Sequence, residues 1–333
     1  GATGATVKTV TAKAHANIAL VKYWGKRDVP LNLPAASSLS MTLEGLTTTT
    51  TVRFDDAARD RLILNGQEQS ESALGKVVKV LDAVRTLAGI ERKAIVTSEN
   101  DFPTGAGLAS SASSMAALAL ASSRAAGLNL SERECSGLAR LGSGSASRSI
   151  FGGTVVWDMG TESDGSDSVA RMVYPPDHWD LRVLVAVVSD QEKPIGSTEG
   201  MNHTRATSPF FDAYLQTVPR DIDEALAAIQ TRDIKSLGVV AERSCLRMHA
   251  TMMGADPPVQ YLRSASYRIM DRVRSLRADG APVFFTADAG PNIKVFCEAD
   301  AMSAVRDSLE SMDGISSIIE ARVGQGARVV SED

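Results

Sequence analysis

Asp101-Phe-Pro-Thr-Gly-Ala-Gly-Leu-Ala-Ser-Ser-Ala-Ser113 is the stretch on which the reading of the fold turns. It predicts an exit from a strand, a glycine-rich turn, and then a small-residue helix running through Ala126. Gly105 and Gly107 permit positive φ and a close backbone approach to a ligand. Helix formers from Leu108 to Ala121 aim unpaired N–H groups and the positive end of a helix dipole into that turn. The result is an anion site whose natural guest is a phosphate. Ser110 and Ser111 add hydroxyls at the helix start, suited to capping it or to reaching a phosphate-bound Mg²⁺. Ser-rich helix starts often do no more than cap, so this run alone leaves both uses open.

Upstream of the turn, strands are predicted at Val7 to Lys13, Ser37 to Leu43, Thr47 to Phe54 and Lys93 to Ser98. Arg61 to Asn65 forms a hairpin with the Asn65-Gly66 turn, and Gly1 to Thr6 is a featureless, disordered end. Apolar spacing at Leu74, Val77, Val78, Val80, Leu81 and Val84 predicts a helix over Ser70 to Leu87. Asn17, Lys22, Tyr23, Lys26 and Arg27 crowd one short stretch. A helical turn there would aim Lys22 and Lys26 the same way, although basic residues beside aromatics also form ordinary solvated edges.

Downstream, Ser131 and Glu134 make a capping-box pattern for a helix that stops at Gly142. Gly142-Ser-Gly-Ser-Ala-Ser-Arg-Ser-Ile-Phe-Gly-Gly153 is a flexible, donor-rich loop feeding a strand from Thr154 to Met159. A plain Ser/Gly linker rarely carries an arginine straight into a strand. Leu181 to Val188 is a buried strand. Asp190 to Thr204 is loop then helix, Pro209 to Met253 largely helical, and Pro257 to Asp279 one long helix. Strands at Val283 to Ala287, Ile293 to Cys297 and Ala327 to Val330, with a helix over Ala299 to Met312, complete the chain. The strand-rich first part and helix-rich second part place a boundary near residue 188, giving lobes 1–188 and 189–333.

Of the 333 residues, 44% are hydrophobic and 23% charged, enough for a full core in one large or two medium domains. Aromatics at 5% and a net charge of −5 argue against nucleic-acid and anionic-membrane partners. An anionic substrate therefore needs a locally basic pocket. Cys135, Cys245 and Cys297 are odd in number and widely spaced, the pattern of reduced thiols in a cytoplasmic protein. Neither a membrane-length apolar run nor a secretory h-region stands out. GxxxxGK[ST], GxGxxG and GxSxG are absent, and His15, His178, His203 and His249 lack ligand spacing. P-loop, dinucleotide, serine-hydrolase and metal-hydrolase chemistry are thus disfavoured. Asp288, in Asp288-Ala-Gly-Pro-Asn292, is either a turn-forming Asx residue or a base held on rigid structure beside a glycine loop.

Four ordered runs carry a resemblance. Asn17-Ile-Ala-Leu-Val-Lys-Tyr-Trp-Gly-Lys-Arg-Asp28, Phe102-Pro-Thr-Gly-Ala-Gly-Leu-Ala-Ser-Ser-Ala112, Gly142-Ser-Gly-Ser-Ala-Ser-Arg-Ser149 and Asp288-Ala-Gly-Pro-Asn292 resemble the signatures of the mevalonate diphosphate decarboxylases. That family belongs to the GHMP kinase superfamily, with galactokinase, homoserine kinase and mevalonate kinase. The similarity runs from about residue 11 to the C-terminus and includes Leu246-Arg-Met-His-Ala250; bacterial members are closest around Ala14-His-Ala-Asn17. It implies an α/β (α+β), two-lobed GHMP-kinase-like sandwich with the active cleft between the lobes, commonly as a homodimer. The reaction implied is ATP-dependent decarboxylation of mevalonate 5-diphosphate to isopentenyl diphosphate.

Position by position, the resemblance implies that Asp288 is the catalytic aspartate and that Arg148 holds the substrate carboxylate with Asn17 nearby. Lys22 matches an active-site lysine. Tyr23, Lys26, Ser143, Gly144, Ser145 and Ser197 match substrate contacts. Pro103, Gly105, Gly107, Leu108, Ala109, Ser110 and Ser111 form the ATP phosphate loop, with Ser110 the residue able to touch Mg²⁺. Four positions depart from the pattern. Ala35-Ala36 replaces a frequent Asn, Gly196 a frequent Ser, Thr198 an Arg of some bacterial relatives, and Gly105 a frequent Ala. The first three bear on phosphate recognition, so a phosphomevalonate decarboxylase, a mevalonate kinase-like phosphotransferase and a non-catalytic ligand sensor stay open beside the main expectation.

Overall fold

The computed structural model describes residues 8–102, 108, 110–188 and 194–333. Its first half comprises β1 (Thr9–Val21), β2 (Lys26–Asp28), β3 (Leu33–Pro34), β4 (Ser38–Asp55), β5 (Arg61–Leu64), β6 (Gln67–Glu68), α1 (Gly75–Ala88), β7 (Lys93–Asn100), α2 (Ser111–Ala125), α3 (Glu132–Gly142), one-turn α4 (Ala146–Ser149), β8 (Thr154–Trp157), β9 (Ala170–Tyr174) and β10 (Leu181–Val187). There follow α5 (Ser197–Thr207), α6 (Phe211–Gln230), α7 (Ile234–Met253), α8 (Ser264–Ala278), β11 (Val283–Thr286), β12 (Ile293–Glu298), α9 (Met302–Glu310), β13 (Ser317–Val323) and β14 (Arg328–Glu332).

Strand β4 is the hub. One edge pairs antiparallel with β1 from Thr9↔Arg53 to Val21↔Leu39. The other edge is shared, with Ser38–Met41 on β8, Leu43–Glu44 on β13 and Thr48–Asp55 on β7. Through β13 the sheet continues to β10, β12 and β11, so both halves of the chain join one mixed sheet. On one face Ala12, Ala14, Val52 and Val96 pack against Leu81, Leu118 and Leu138 of the early helices. On the other, Leu39, Leu43, Val183 and Phe296 meet Val218, Ile222 and Val240 of α6 and α7. With both faces covered, Ala16–Val21 is buried throughout, which suits its almost unbroken apolar composition.

Several expectations change. Ser37 to Leu43 and Thr47 to Phe54 are one 18-residue strand, because its two edges supply continuous partners. The stretch after Ala14 is strand and turn instead of a helical turn, so Lys22 and Lys26 do not share a helix face. Gly25 makes the turn between them at φ +113°, and a Cβ there would lie 2.4 Å from the Phe211 ring. The Gly142–Gly153 loop contains α4, which carries Arg148. Pro209 to Met253 is two helices, broken at Arg232 (φ +55°), with Asp233 accepting from the Ser236 N–H to cap α7. The long helix expected from Pro257 begins only at Ser264; Pro258 disfavours helical φ/ψ at Pro257. β9 and β13 were not anticipated. The three cysteines are free and buried, and Gly1 to Thr6, expected to be disordered, lie outside the described residues.

The capping box forms as expected: Ser131 Oγ accepts from the Glu134 N–H, and Glu134 Oε1 from the Ser131 N–H, both at 3.1 Å. Ser131→Ala is expected to remove about 1 kcal/mol of stability. Urea denaturation should show a lower midpoint at an unchanged m value.

Candidate active site

The site is built where β1 ends. Lys22, its side chain 1% exposed, donates from Nζ to Asp288 Oδ1 at 2.7 Å and to the Ala19 carbonyl at 2.7 Å. Asp288 follows β11, just beyond the last ladder pair, Thr286↔Lys294. Lys294 brings a second ammonium to 3.6 Å from Oδ2. The Asp288 side chain is 43% accessible, yet surrounding atoms make desolvation the largest influence on it, which places the carboxylate in a recess. Burial opposes its ionisation. Lys22, Lys294 and the Arg148 guanidinium prevail and hold the carboxyl well below the usual carboxylate range. Burial in turn lowers the Lys294 ammonium, with Asp288 acting against that.

Arg148 is held by three adjacent strands. Nε donates to Asn17 Oδ1 at 3.1 Å and Nη1 to Ser38 Oγ at 2.7 Å, and the guanidinium lies 5.8 Å from the Trp157 ring centroid. Asn17 stands on β1, Ser38 on β4 and Trp157 opposite Ser38 on β8. Asn17 also donates from Nδ2 to Ser149 Oγ at 2.7 Å and to the Ser145 carbonyl at 3.0 Å, tying α4 to β1. Burial lowers Arg148 to about 10 against the charges of Asp288 and Tyr23, so it stays cationic at neutral pH.

Tyr23 packs edge-on against Trp157 at 4.7 Å. Its hydroxyl is buried without a hydrogen-bond partner among the described residues. Burial pushes its phenol well up, opposed by Arg148, so the hydroxyl keeps its proton. A Cβ at Gly144 would lie 2.8 Å from both that hydroxyl and Trp157; only glycine fits. Lys26 donates to Asn32 Oδ1 at 2.8 Å and to Thr198 Oγ1 at 3.4 Å. Burial, with Lys76 and Lys79 nearby, brings its ammonium down to about 8.

A row of hydroxyls crosses from the start of α2 to the loop between α3 and α4: Ser111 to Ser143 at 3.4 Å and Ser143 to Ser145 at 3.3 Å. Ser110 precedes α2 and makes no side-chain cap bond. Leu108 is buried, whereas Pro103, Gly105, Gly107 and Ala109 lie outside the described residues. Ser197 opens α5 beside Thr198, so its helix start reaches Lys26. Sequence reasoning missed Lys294, Ser38 and Asn32. A lysine inside the apolar run Ile293–Cys297 was the one available signal; Ser38 owes its place to strand pairing, and Asn32 to a turn at φ +52° whose amide donates to the Arg140 and Leu141 carbonyls. A separate cavity of about 450 Å³, lined by Ala36, Ser37, Val156 and Pro219 among others, contains none of these charges.

A recessed carboxylate between two ammoniums and a guanidinium, joined by serines to a helix start, defines an α/β enzyme for polyanionic small molecules. Residues 14–170 match the family model described as diphosphomevalonate decarboxylase-like N-terminal domain. Residues 183–330 match the mevalonate 5-diphosphate decarboxylase C-terminal domain. Human diphosphomevalonate decarboxylase is 41% identical over 315 residues, covering 88% of this chain and 78% of that protein. The Staphylococcus aureus mevalonate diphosphate decarboxylase structure superposes with a TM-score of 0.92 at 42% identity, covering 98% of this chain and 99% of that one. A structure of MDDEF in complex with MVAPP, AMPPCP and magnesium also gives 0.92 at 42% identity, covering 98% and 100%. The chain belongs to the diphosphomevalonate decarboxylase family, with the fold its sequence motifs implied.

Lys294→Met removes one of the cations that depress the Asp288 carboxyl. The carboxyl pKa is expected to rise, moving the acid limb of kcat/KM to higher pH, while Lys294→Arg keeps the limb near its original position. A pH–rate profile of the three proteins checks this.

Proposed function

We propose that this chain uses ATP to decarboxylate mevalonate 5-diphosphate, producing isopentenyl diphosphate, CO₂, ADP and phosphate. The observation that carries the reading is the Asp288 carboxylate set 2.7 Å from the Lys22 ammonium and 3.6 Å from that of Lys294, with the buried Arg148 guanidinium held by Asn17 of the strand that leads to Lys22. Family membership and the relative that holds MVAPP with AMPPCP and magnesium support it.

Asp288 is ionised throughout the working range and is therefore a weak base. Its contribution is to accept a hydrogen bond from the 3-hydroxyl and aim that oxygen at the γ-phosphorus. The new O–P bond forms as the bond to ADP breaks, and the hydroxyl proton leaves through Asp288 to solvent. Departure of phosphate from C3 then draws the C1–C2 electron pair into a C2–C3 double bond, releasing CO₂. Anionic Asp288 stabilises the positive charge that builds at C3. Arg148 suits the departing carboxylate because a planar fork holds two oxygens, and Asn17 and Ser38 fix its orientation. Tyr23 and Lys26 contact the substrate phosphates, Ser143, Gly144, Ser145 and Ser197 are further substrate-binding residues, and Lys22 holds Asp288. ATP lies along Pro103 to Ser111.

Among the described residues, no group of three or more His, Cys, Asp or Glu side chains is placed to hold a metal. Mg²⁺ would be held chiefly through ATP phosphate oxygens, with Ser110 able to touch it, and would supply charge neutralisation there. The same reading takes the enzyme as a cytoplasmic homodimer without nucleic-acid partners. No helix among the described residues is long and apolar enough to cross a membrane. It also divides the chain into lobes near residue 188, although β10 ahead of that point pairs with β12 and β13 behind it, so the lobes share one sheet.

Assaying CO₂ and phosphate release from ATP with mevalonate 5-diphosphate and with the 5-monophosphate tests the reading. Release with the diphosphate alone supports it, release with the monophosphate alone redirects the substrate, and phosphoryl transfer without CO₂ overturns the decarboxylase. In Asp288→Asn, whose amide oxygen can still accept from Lys22, turnover is expected to fall by about 10²–10⁴-fold. ATP affinity, read by calorimetry, should be nearly unchanged.

Lys26 is a cation below about pH 8 and loses its charge above it. Consequently kcat/KM for the phosphorylated substrate is expected to decline as pH rises through about 8, and Lys26→Met should both flatten that limb and raise KM.

A further inference from the structure

The two ends of the Lys22–Asp288 pair are anchored, through their backbones, to one segment of α7. Because the β11–β12 ladder stops at Thr286↔Lys294, the sheet leaves both polar groups of the fully buried Ala287 without partners, and a buried peptide requires them. Helix α7 provides the partners. The Ala287 N–H donates to Cys245 Sγ at 3.2 Å, and the Ala287 carbonyl accepts from His249 Nε2 at 3.3 Å, with the Cys245 thiol at 3.6 Å. Cys245 and His249 are four apart and so share a helix face. One residue earlier, Ser244 Oγ accepts from the Lys22 backbone N–H at 2.9 Å. The Lys22 carbonyl is taken by the Tyr214 hydroxyl of α6 at 3.1 Å.

We propose that Ser244, Cys245 and His249 are positioning residues that set the Lys22–Asp288 geometry through the backbone, touching neither ATP nor substrate. The role rests on the reaction proposed above. All three side chains are buried at 0–2% exposure, and each directs its polar atom at a backbone group of Lys22 or Ala287. Burial brings His249 down to about 4, so the ring is neutral at working pH. A carbonyl partner then assigns the hydrogen to Nε2. A neutral donor is what the site needs, since an imidazolium would add a fourth cation to Lys22, Lys294 and Arg148.

The test compares His249→Leu, His249→Gln and Ser244→Ala with the unsubstituted chain, assayed well below each thermal midpoint. His249→Leu is expected to lower kcat about tenfold to hundredfold with KM for ATP within twofold. His249→Gln, which offers an amide N–H in place of Nε2–H, should recover most of the loss. Equal impairment of Leu and Gln would make packing the role and overturn the proposal, as would unchanged kcat in Leu. If His249→Leu does not fold, Ser244→Ala decides, with a severalfold fall in kcat at unchanged KM for ATP supporting the proposal and unaltered kcat overturning it. A readout independent of turnover is the Asp288 carboxyl titration by ¹³C NMR. It should move upward in the folded variants as the Lys22 contact loosens, even if the unsubstituted chain releases no CO₂, a result that would count against the decarboxylase alone. A carboxyl that titrates as before overturns the positioning role.

Discussion

An ammonium whose side chain is 1% exposed has given up its hydration, at a cost of several kcal/mol unless partners replace the water. Lys22 finds them in the Asp288 carboxylate, 266 positions away along the chain, and in the Ala19 carbonyl. The end of β1 must therefore meet the turn between β11 and β12. That obligation aligns the two halves of the molecule more sharply than apolar packing alone, because a burying surface tolerates sliding whereas a 2.7 Å contact does not. The pair's net contribution to stability is small by comparison with its geometric effect, which is to hold one carboxylate oxygen at a fixed place.

Around that carboxylate the charges divide by task. A chain of net charge −5 concentrates Lys22, Lys294 and Arg148 at a single recess, creating a local positive field into which polyanions are drawn. The cost falls on the basicity of Asp288, which such neighbours suppress. Orientation thus outweighs proton affinity in what Asp288 can do. Arg148 at about 10 and the raised Tyr23 phenol keep their protons at neutral pH. Lys26, proposed to meet the substrate phosphates, is lowered to about 8 and so changes its charge near the physiological range.

Local signals were legible in the sequence and long-range ones were not. The Ser131–Glu134 cap, the start of α2 and the end of β11 each depend on a few neighbouring residues, and each is found where periodicity and capping place it. A helical reading of Lys22 and Lys26 failed because an i,i+4 alignment is a weak preference, overridden by burying Ala16–Val21 between two helical layers. Ile318 and Ile319 gave too short a signal for β13, in which Ser317, Glu320 and Arg322 are exposed and only Ala321 is fully buried. It becomes a strand through its partners β10 and β4. Resemblance marked Asp288 and Arg148; Lys294 showed only as a lysine within an apolar run, and no local pattern could announce Ser38, whose neighbours are decided by register.

Register also explains how Arg148 and Asp288, held by different parts of β1, come to share a recess. Asn17 uses both ends of one amide, accepting from Arg148 with Oδ1 and donating to Ser149 and the Ser145 carbonyl with Nδ2. An aspartate there would lose the donor, and a leucine both. Asn17 therefore references the arginine and the substrate loop to one point of the strand. Lys22 lies five residues further along, but its side chain folds back to the Ala19 carbonyl, only two residues from Asn17. At roughly 3.3 Å per residue that return shortens the separation along the strand from about 16 Å to about 7 Å, close enough for carboxylate and guanidinium to influence one another. The backward bend of a single lysine is what lets one strand position both groups on a molecule the size of the proposed substrate.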